Sequence, residues 1–304
     1  MQAANHILMI RPVNFKFNDQ TAGNNKFQQA SEQQHVHDQA LQEFDAFVTL
    51  LRNNGVEVTV IDDTLQPETP DSIFPNNWVS FHENGEVILY PMFSENRRAE
   101  RRNDILTTLG DNFKITKVTD LSTEEAQDIF LEGTGSLVLD RDHKIAYACL
   151  SFRTNEIALA KFCEATGYTP IVFNAVDATN FPIYHTNVMM CVGDGFAVIC
   201  SDSISNLVEK EEVLNSLRDH QKEIVELSFD QMNHFAGNML QVKNKAGENL
   251  LVMSEQAYQA LELAQVKTLE KYCTLIYSPL YTIEKNGGGS ARCMLAEIHL
   301  PQQS

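Results

Sequence analysis

Apolar positions fall into two alternating spacings along the chain. Leu41, Phe44, Phe47, Leu50 and Leu51 recur every three or four residues, which predicts a helix over 40–54 that Gly55 stops. Short apolar runs at 7–11 and 56–61 flank it and read as strands. The stretch 62–75, heavy in Pro, Asp and Thr, reads as a loop. The pattern then returns. Runs at 78–81 and 86–90 form a hairpin around Asn84-Gly85, a dipeptide suited to a tight turn. A helix near 97–109 and a strand near 113–118 follow. The next unit has a hairpin at 136–139 and 144–150, a helix at 155–166 and a strand at 169–174. Another has strands at 187–192, 195–201 and 223–228 around a helix within 208–218. The last has strands at 239–243, 249–254 and 274–277 around a helix at 255–269. Cys293 opens a strand-like run, 294–300, that would complete the set.

The chain therefore carries about five strand-strand-helix-strand units, and a repeat of roughly 50 to 60 residues points to a ring of units rather than one open sheet. A closed ring has no free sheet edge, and it gathers the loops at one end of every unit around a central pocket. One motif opens each hairpin at that end: Phe74-Pro75-Asn76-Asn77-Trp78, Leu131-Glu132-Gly133-Thr134-Gly135-Ser136, Tyr184-His185-Thr186-Asn187, His234-Phe235-Ala236-Gly237-Asn238, and Gly287 to Cys293. Residues 13–35, rich in Asn and Gln and including Asn14, form a long irregular connection, of a length that suits a lid over such a pocket. Neither a linker nor a low-complexity segment interrupts the chain, which reads as one domain over 1–304.

Composition narrows the function. A formal charge of −18 on 304 residues repels nucleic acid and anionic membrane and suits a cationic or zwitterionic small substrate. No apolar run approaches the ~20 residues of a membrane span, and the first residues read as a strand rather than a leader. Cys149, Cys163, Cys191, Cys200, Cys273 and Cys293 are scattered without a CxxC pair. That spacing argues against zinc and against a disulfide framework, and fits a reducing cytoplasm. His35-x-His37 reads as surface, and no metal or other cofactor is expected.

The chemistry gathers near the C-terminus. Gly287-Gly288-Gly289 gives the backbone unusual freedom just before Cys293, a sensible mount for a nucleophile. By itself Cys293 reads equally well as a small buried residue, and His185 and Glu132 by themselves as structural groups. Their placement on equivalent loops of three units is what turns them toward one another.

Glu132-Gly133, His185-x-Asn187 and the glycine run ahead of Cys293 resemble the motifs of the guanidino-group-modifying enzyme superfamily. The resemblance spans essentially the whole chain. It is strongest to the amidinotransferase-like branch of citrulline-utilisation hydrolases, with similarity to dimethylargininase and arginine deiminase. It implies an α/β fold, the five-bladed pentein αβ-propeller of ββαβ-type repeats around a central pocket. It implies Cys293 as nucleophile, His185 as acid and base, and Glu132 as the partner that holds the reacting group. Ser151-Phe152-Arg153-Thr154-Asn155 resembles dimethylargininase, whose arginine there holds the substrate carboxylate; Arg153 is thus the first candidate for a planar two-point clamp. Either Arg97 or Arg98 would supply a second arginine. Phe74 and Asn14 complete the expected substrate contacts.

One departure is informative. Arginine deiminases carry two aspartates that grip the guanidinium, and the corresponding places here read Asn77 and Asn187. A carboxylate only accepts hydrogen bonds, whereas an amide both accepts and donates. Two amides complement a neutral ureido group as well as a cation. The expected substrate is citrulline, or arginine through two successive hydrolyses, with ornithine, ammonia and carbon dioxide as products. Rival readings are arginine deiminase, dimethylargininase or amidinotransferase on the same fold, and a non-catalytic ribosome-binding pentein protein. A homo-oligomer is a possible assembly.

Overall fold

Among the described residues fifteen short strands form five three-stranded sheets, all wired alike. The computed structural model describes residues 1–30 and 35–303. In chain order the strands are β1 (His6–Arg11), β2 (Glu57–Asp62), β3 (Val79–Phe81), β4 (Glu86–Leu89), β5 (Lys117–Asp120), β6 (Leu137–Asp140), β7 (Ile145–Cys149), β8 (Thr169–Phe173), β9 (Met190–Val192), β10 (Phe196–Ile199), β11 (Glu223–Glu226), β12 (Leu240–Lys243), β13 (Asn249–Ser254), β14 (Thr274–Ser278) and β15 (Ala296–Glu297). The sheet orders are β3-β4-β5, β6-β7-β8, β9-β10-β11, β12-β13-β14 and β15-β1-β2. In each, the first pair is antiparallel and the second parallel. The parallel step requires a crossover, and a helix or helix pair supplies it every time. The last sheet joins the two ends of the chain, with Ile7 opposite Glu297 and Leu8 opposite Ala296. Neighbouring sheets meet through their first strands: β15 lies on β3, β6 on β9, and β9 on β12.

Helix Val36–Asn53 shows how the pattern becomes core. Ala40, Phe44, Phe47, Val48 and Leu51 are buried along one face. They pack with Val242, Leu250, Val252 and Ile276 of the β12-β13-β14 sheet as well as with Ile7 and Met9 of β1. The crossover thus cements two adjacent sheets by apolar burial. Among the described residues no helix is long and apolar enough to cross a membrane.

Several predicted elements differ in extent. The helix expected over 97–109 is two, Glu95–Arg98 and Asn103–Gly110. Between them Glu100 turns inward to Arg97 and Arg101 turns to Glu125. Pairing these charges overrides local helix propensity. The strand expected over 113–118 starts at Lys117, because the register with β4 sets Glu86 opposite Lys117. Phe113 instead enters the core and bridges to Gln302. The helix expected over 255–269 breaks at Leu261, where Glu262 and Gln265 form a capping box that starts a new helix. The run after Cys293 forms only the two-residue strand β15, and Cys293 itself sits in a 3-10 turn, Ala291–Met294. The connection 13–35 holds one helical turn, Asp19–Ala22, capped by the Asn18 side chain; residues 31–34 of it lie outside the described residues.

Candidate active site

The chain enters the first strand of every sheet through a short turn, and the expected chemistry sits on these turns. Pro75–Asn77 precedes β3 and carries Asn77. Glu132 caps the turn Gly133–Ser136 ahead of β6. His185 caps Thr186–Met189, which contains Asn187, ahead of β9. Asn238 ends the turn before β12, and Cys293 lies in Ala291–Met294 before β15. The turns rest on one another. Gly133 has φ +47, and a Cβ there would stand 2.8 Å from the Asn77 carbonyl oxygen. Only glycine satisfies both the backbone angle and the close approach.

The Cys293 sulfur is buried and faces two amides, Asn238 Nδ2 at 3.3 Å and Asn187 Nδ2 at 3.5 Å. His185 Nε2 lies 2.8 Å from Glu132 Oε2. Arg153 Nη1 and Arg97 Nη1 approach the same oxygen at 3.4 and 3.8 Å, and the Phe93 amide donates to Oε1 at 3.0 Å. Burial pushes the Glu132 carboxyl upward, but Arg153, the His185 bond and Arg97 outweigh it and hold the group well below the usual carboxylate range. Burial draws His185 down to about 4 against the pull of Glu132. At neutral pH the pair is therefore a carboxylate and a neutral imidazole. Nε2–H donates to Glu132, and Nδ1 keeps its lone pair.

One narrow cleft brings most of the set together. Cys293, His185 and Asn77 line it with Arg153, Arg97 and Phe74, and Thr21 and Asn25 reach it from the 13–35 connection. The Asn25 amide donates to the Gly288 carbonyl, which fixes the connection to the glycine run. Asn187 touches the sulfur, and its Oδ1 is buried without a hydrogen-bond partner. Of the two arginines, Arg97 enters the cleft. It forms a two-point bond to Glu100, 2.9 Å on each oxygen, and donates to Asn77 Oδ1 at 2.8 Å. Arg98 instead lies outside, donating to the carbonyls of Met92 and Phe93. Asn14 is exposed and bonds Glu68. Arg153 is fully engaged: it donates to Asn24 Oδ1 from Nε at 3.1 Å and from Nη2, and to the Thr21 carbonyl at 3.2 Å.

Three residues of the site were not singled out from sequence. Asp71 lines the cleft with Oδ1 buried and unpartnered, while Oδ2 accepts from Asn18. Tyr184 donates to the Gly288 carbonyl at 2.6 Å and lies under the Arg153 guanidinium, 4.9 Å from its ring centre. Asn238 occupies the fifth turn. Their signals were positional: Asp71 precedes Phe74 by three residues, Tyr184 precedes His185, and Asn238 opens a hairpin as the other site residues do. Among the described residues no group of three or more His, Cys, Asp or Glu is arranged to hold a metal ion.

Known proteins share this arrangement of sheets. ArgZ, described as an arginine dihydrolase from the ornithine-ammonia cycle in cyanobacteria, superposes in its apo form with a TM-score of 0.74 at 17% identity, over 97% of this chain and 41% of that one. Its N-terminal domain alone, covalently bound to a reaction intermediate, matches over 97% and 98%. An AgrE variant bound to L-arginine gives 0.75 at 16%, over 98% and 41%. Dimethylarginine dimethylaminohydrolase, as a variant's adduct with S-methyl-L-thiocitrulline, gives 0.68 at 17%, over 96% and 99%. The chain thus spans about 41% of the length of full ArgZ and AgrE. At such identities the likeness establishes the pentein fold. Among curated protein sequences none matches. The family model described as N,N dimethylarginine dimethylhydrolase, eukaryotic, matches residues 11–300, and the chain belongs to that family of guanidino-modifying enzymes.

Proposed function

We propose that this protein is a cysteine-dependent hydrolase of the ureido and guanidino groups of citrulline or arginine, with Cys293, His185 and Glu132 as its catalytic residues. The observation that carries the reading is the makeup of the reactive end. Asn187 sets a neutral amide on the Cys293 sulfur, Asn77 lines the same cleft as Cys293, and Glu132 is the carboxylate hydrogen-bonded to His185.

The chemistry follows from the protonation states. Because His185 starts neutral, it must first take a proton before it can give one. As the sulfur adds to the ureido carbon, the thiol proton passes to the imidazole and then to the departing nitrogen. Water next gives up a proton to the same ring, attacks the thiocarbamate carbon and frees the sulfur, and the carbamic acid so formed breaks its remaining C–N bond to give carbon dioxide and the second amine. Citrulline plus one water gives ornithine, ammonia and carbon dioxide; arginine consumes a second water and gives a second ammonia. Glu132 fixes the ring and steadies the imidazolium. Asn77, its oxygen held by Arg97 and one amide hydrogen by Asn76 Oδ1, has a second amide hydrogen for the head group. Arg153 and the free Asp71 oxygen supply a cation and an anion suited to the carboxylate and ammonium of an α-amino acid.

The test is incubation with citrulline, arginine and N,N-dimethylarginine separately, with ornithine, citrulline, ammonia and dimethylamine measured and Cys293→Ser as control. Ornithine from citrulline supports the reading, and its absence from both citrulline and arginine overturns it. Dimethylamine release without ornithine is the outcome of the second reading, an N-methylarginine hydrolase, which the family match favours.

A further inference from the structure

We propose that Asn238 is a further catalytic residue: its amide holds the Cys293 sulfur in its attacking form and ties the nucleophile's turn to the turn that carries His185. Four of the five hairpin turns carry a residue already drawn into the proposed mechanism. The fifth ends at Asn238, which is 1% exposed and has every polar atom of its side chain committed to the nucleophile's surroundings. Nδ2 donates to the sulfur at 3.3 Å and to the Asn187 carbonyl at 2.9 Å. Oδ1 accepts from the Arg292 backbone N–H at 3.0 Å and stands 3.7 Å from the sulfur. One planar amide thus faces the sulfur with a donor and an acceptor, and each also grips a backbone group of a different turn.

This arrangement does what His185 does not do in the structure. The imidazole is neutral and spends its Nε2–H on Glu132, so the hydrogen-bond donors on the sulfur are the two amides. A donor on sulfur favours the ionised, nucleophilic form. Asn187 donates from farther away and has an unpartnered oxygen. Asn238 is closer and fully braced, which makes it the dominant donor. The sulfur and Asn238 lie 55 residues apart in the chain, so the contact exists only once the last two sheets have packed.

The inference rests on Cys293 being the nucleophile of the proposed reading, but its test does not need the substrate. Asn238→Ala removes the donor, and Asn238→Asp keeps an acceptor for Arg292 N–H while removing both donated bonds. Both are alkylated with iodoacetamide from about pH 6 to 10, with the Cys293 peptide followed by mass spectrometry and folding checked by thermal melting. The other five thiols form an internal baseline, since burial pushes Cys149, Cys191 and Cys273 up to about 12 and Cys163 and Cys200 up to about 11. A hydrogen bond to a charged group lost at this site corresponds to a fall of about tenfold or more. The expected result is a loss of that size near pH 7.5 for Cys293, largely recovered near pH 10. A smaller loss, or one of equal size at every pH, overturns the proposal; if one variant does not fold, the other is read by the same criteria. With a turned-over substrate in hand, kcat should fall by a similar factor while KM stays within about twofold, because Asn238 does not line the cleft. Failure of every substrate with the alkylation result intact would count against the hydrolase reading and leave Asn238 in place.

Discussion

Replacing Glu132 by Gln tests the electrostatic design of the site, because the substitution keeps the volume and removes the charge. Glu132 has no exposed surface, and its Oε2 faces His185 at 2.8 Å, Arg153 at 3.4 Å and Arg97 at 3.8 Å. Arg97 keeps its two-point bond to Glu100. Arg153 keeps only neutral partners, Asn24 and the Thr21 carbonyl. A buried cation stripped of its counter-charge costs about 3–5 kcal/mol. For a chain of this length that corresponds to a melting temperature roughly 5–10 °C lower at pH 7. The sign with pH is fixed by the depressed carboxyl. Its stabilisation is present above the ordinary carboxylate range and is lost as pH falls toward its lowered folded value. The gap between the two proteins should therefore narrow in acid.

The kinetic consequence is separate. In Glu132→Gln the amide oxygen would take the place of Oε2, which faces three donors, and leave the NH2 against the Phe93 N–H; His185 keeps its tautomer and loses the charge beside its ring. Under the proposed reading the charge that steadies the imidazolium is gone, and kcat should fall by about 10²-fold or more. The lost charge also sits where a guanidinium would bind, so KM for arginine should rise more than KM for citrulline. Melting curves at pH 7 and pH 4, with initial rates on both substrates, read all of this. A variant with more than about a tenth of the parent kcat, or with an unchanged ratio of the two KM values, would refute the reasoning.

Gly135→Ala should cost about 1–3 kcal/mol by overpacking and lower kcat by about tenfold. The new Cβ would meet Asn77 Nδ2, which Arg97 holds in place, and His185 Nδ1 at 2.8 Å; a melting curve and kcat equal to the parent would contradict this. Asn24→Ala frees the Arg153 guanidinium from the side chain that stands where a substrate carboxylate would dock, and KM should fall by about three- to tenfold; a rise in KM would show that Asn24 belongs to the bound state. Glu284, under the glycine run, is pushed up to about 7, mainly by burial, while accepting from Ser290 and Gln256 at 2.5 Å each. Its contribution to stability is present below the ordinary carboxylate range and is lost as pH rises through about 7, so Glu284→Gln should melt higher than the parent at pH 8 and match it near pH 5. Equal melting shifts at both pH values would sink that assignment.

The fold was legible where burial and periodicity coincide. Phe44, Phe47 and Leu51 mark a helix from spacing alone, and the hairpin at Asn84-Gly85 declares itself because Gly85 takes φ +83. What stayed hidden was set by partners distant in sequence. Ala99, Glu100 and Arg101 are all good helix formers, yet the helix breaks there because Glu100 and Arg101 are pulled to opposite partners, Arg97 and Glu125. Cys293 reads as the opening of a strand because Ala296, Ile298 and Leu300 alternate with Glu297 and His299 just beyond it. The 3-10 geometry of its turn comes from Ser290 accepting the Cys293 N–H and Asn238 accepting that of Arg292. Asp71 and Asn238 carry no signature as isolated residues. Each acquires a role only when the five turns converge.

The count of charges around the cleft bears on which substrate such a site should prefer. Arg97 and Glu100 cancel as a buried two-point pair. Arg153 and Asp71 then stand as one cation and one anion, the complement of an α-amino acid's charged end. Glu132 faces both arginines and a neutral His185, so the five ionised groups together carry one net negative charge. A citrulline in the proposed pose leaves that single negative charge uncompensated, and an arginine neutralises it. The asparagines at 77 and 187 therefore weaken the preference for a cation without abolishing it. Under the proposed reading a guanidinium is drawn in by Glu132. The ureido group it becomes is kept by amide donors and acceptors that carboxylates at 77 and 187 could not provide. That sequence of preferences favours two hydrolyses in one site over a single step that ends with release of citrulline.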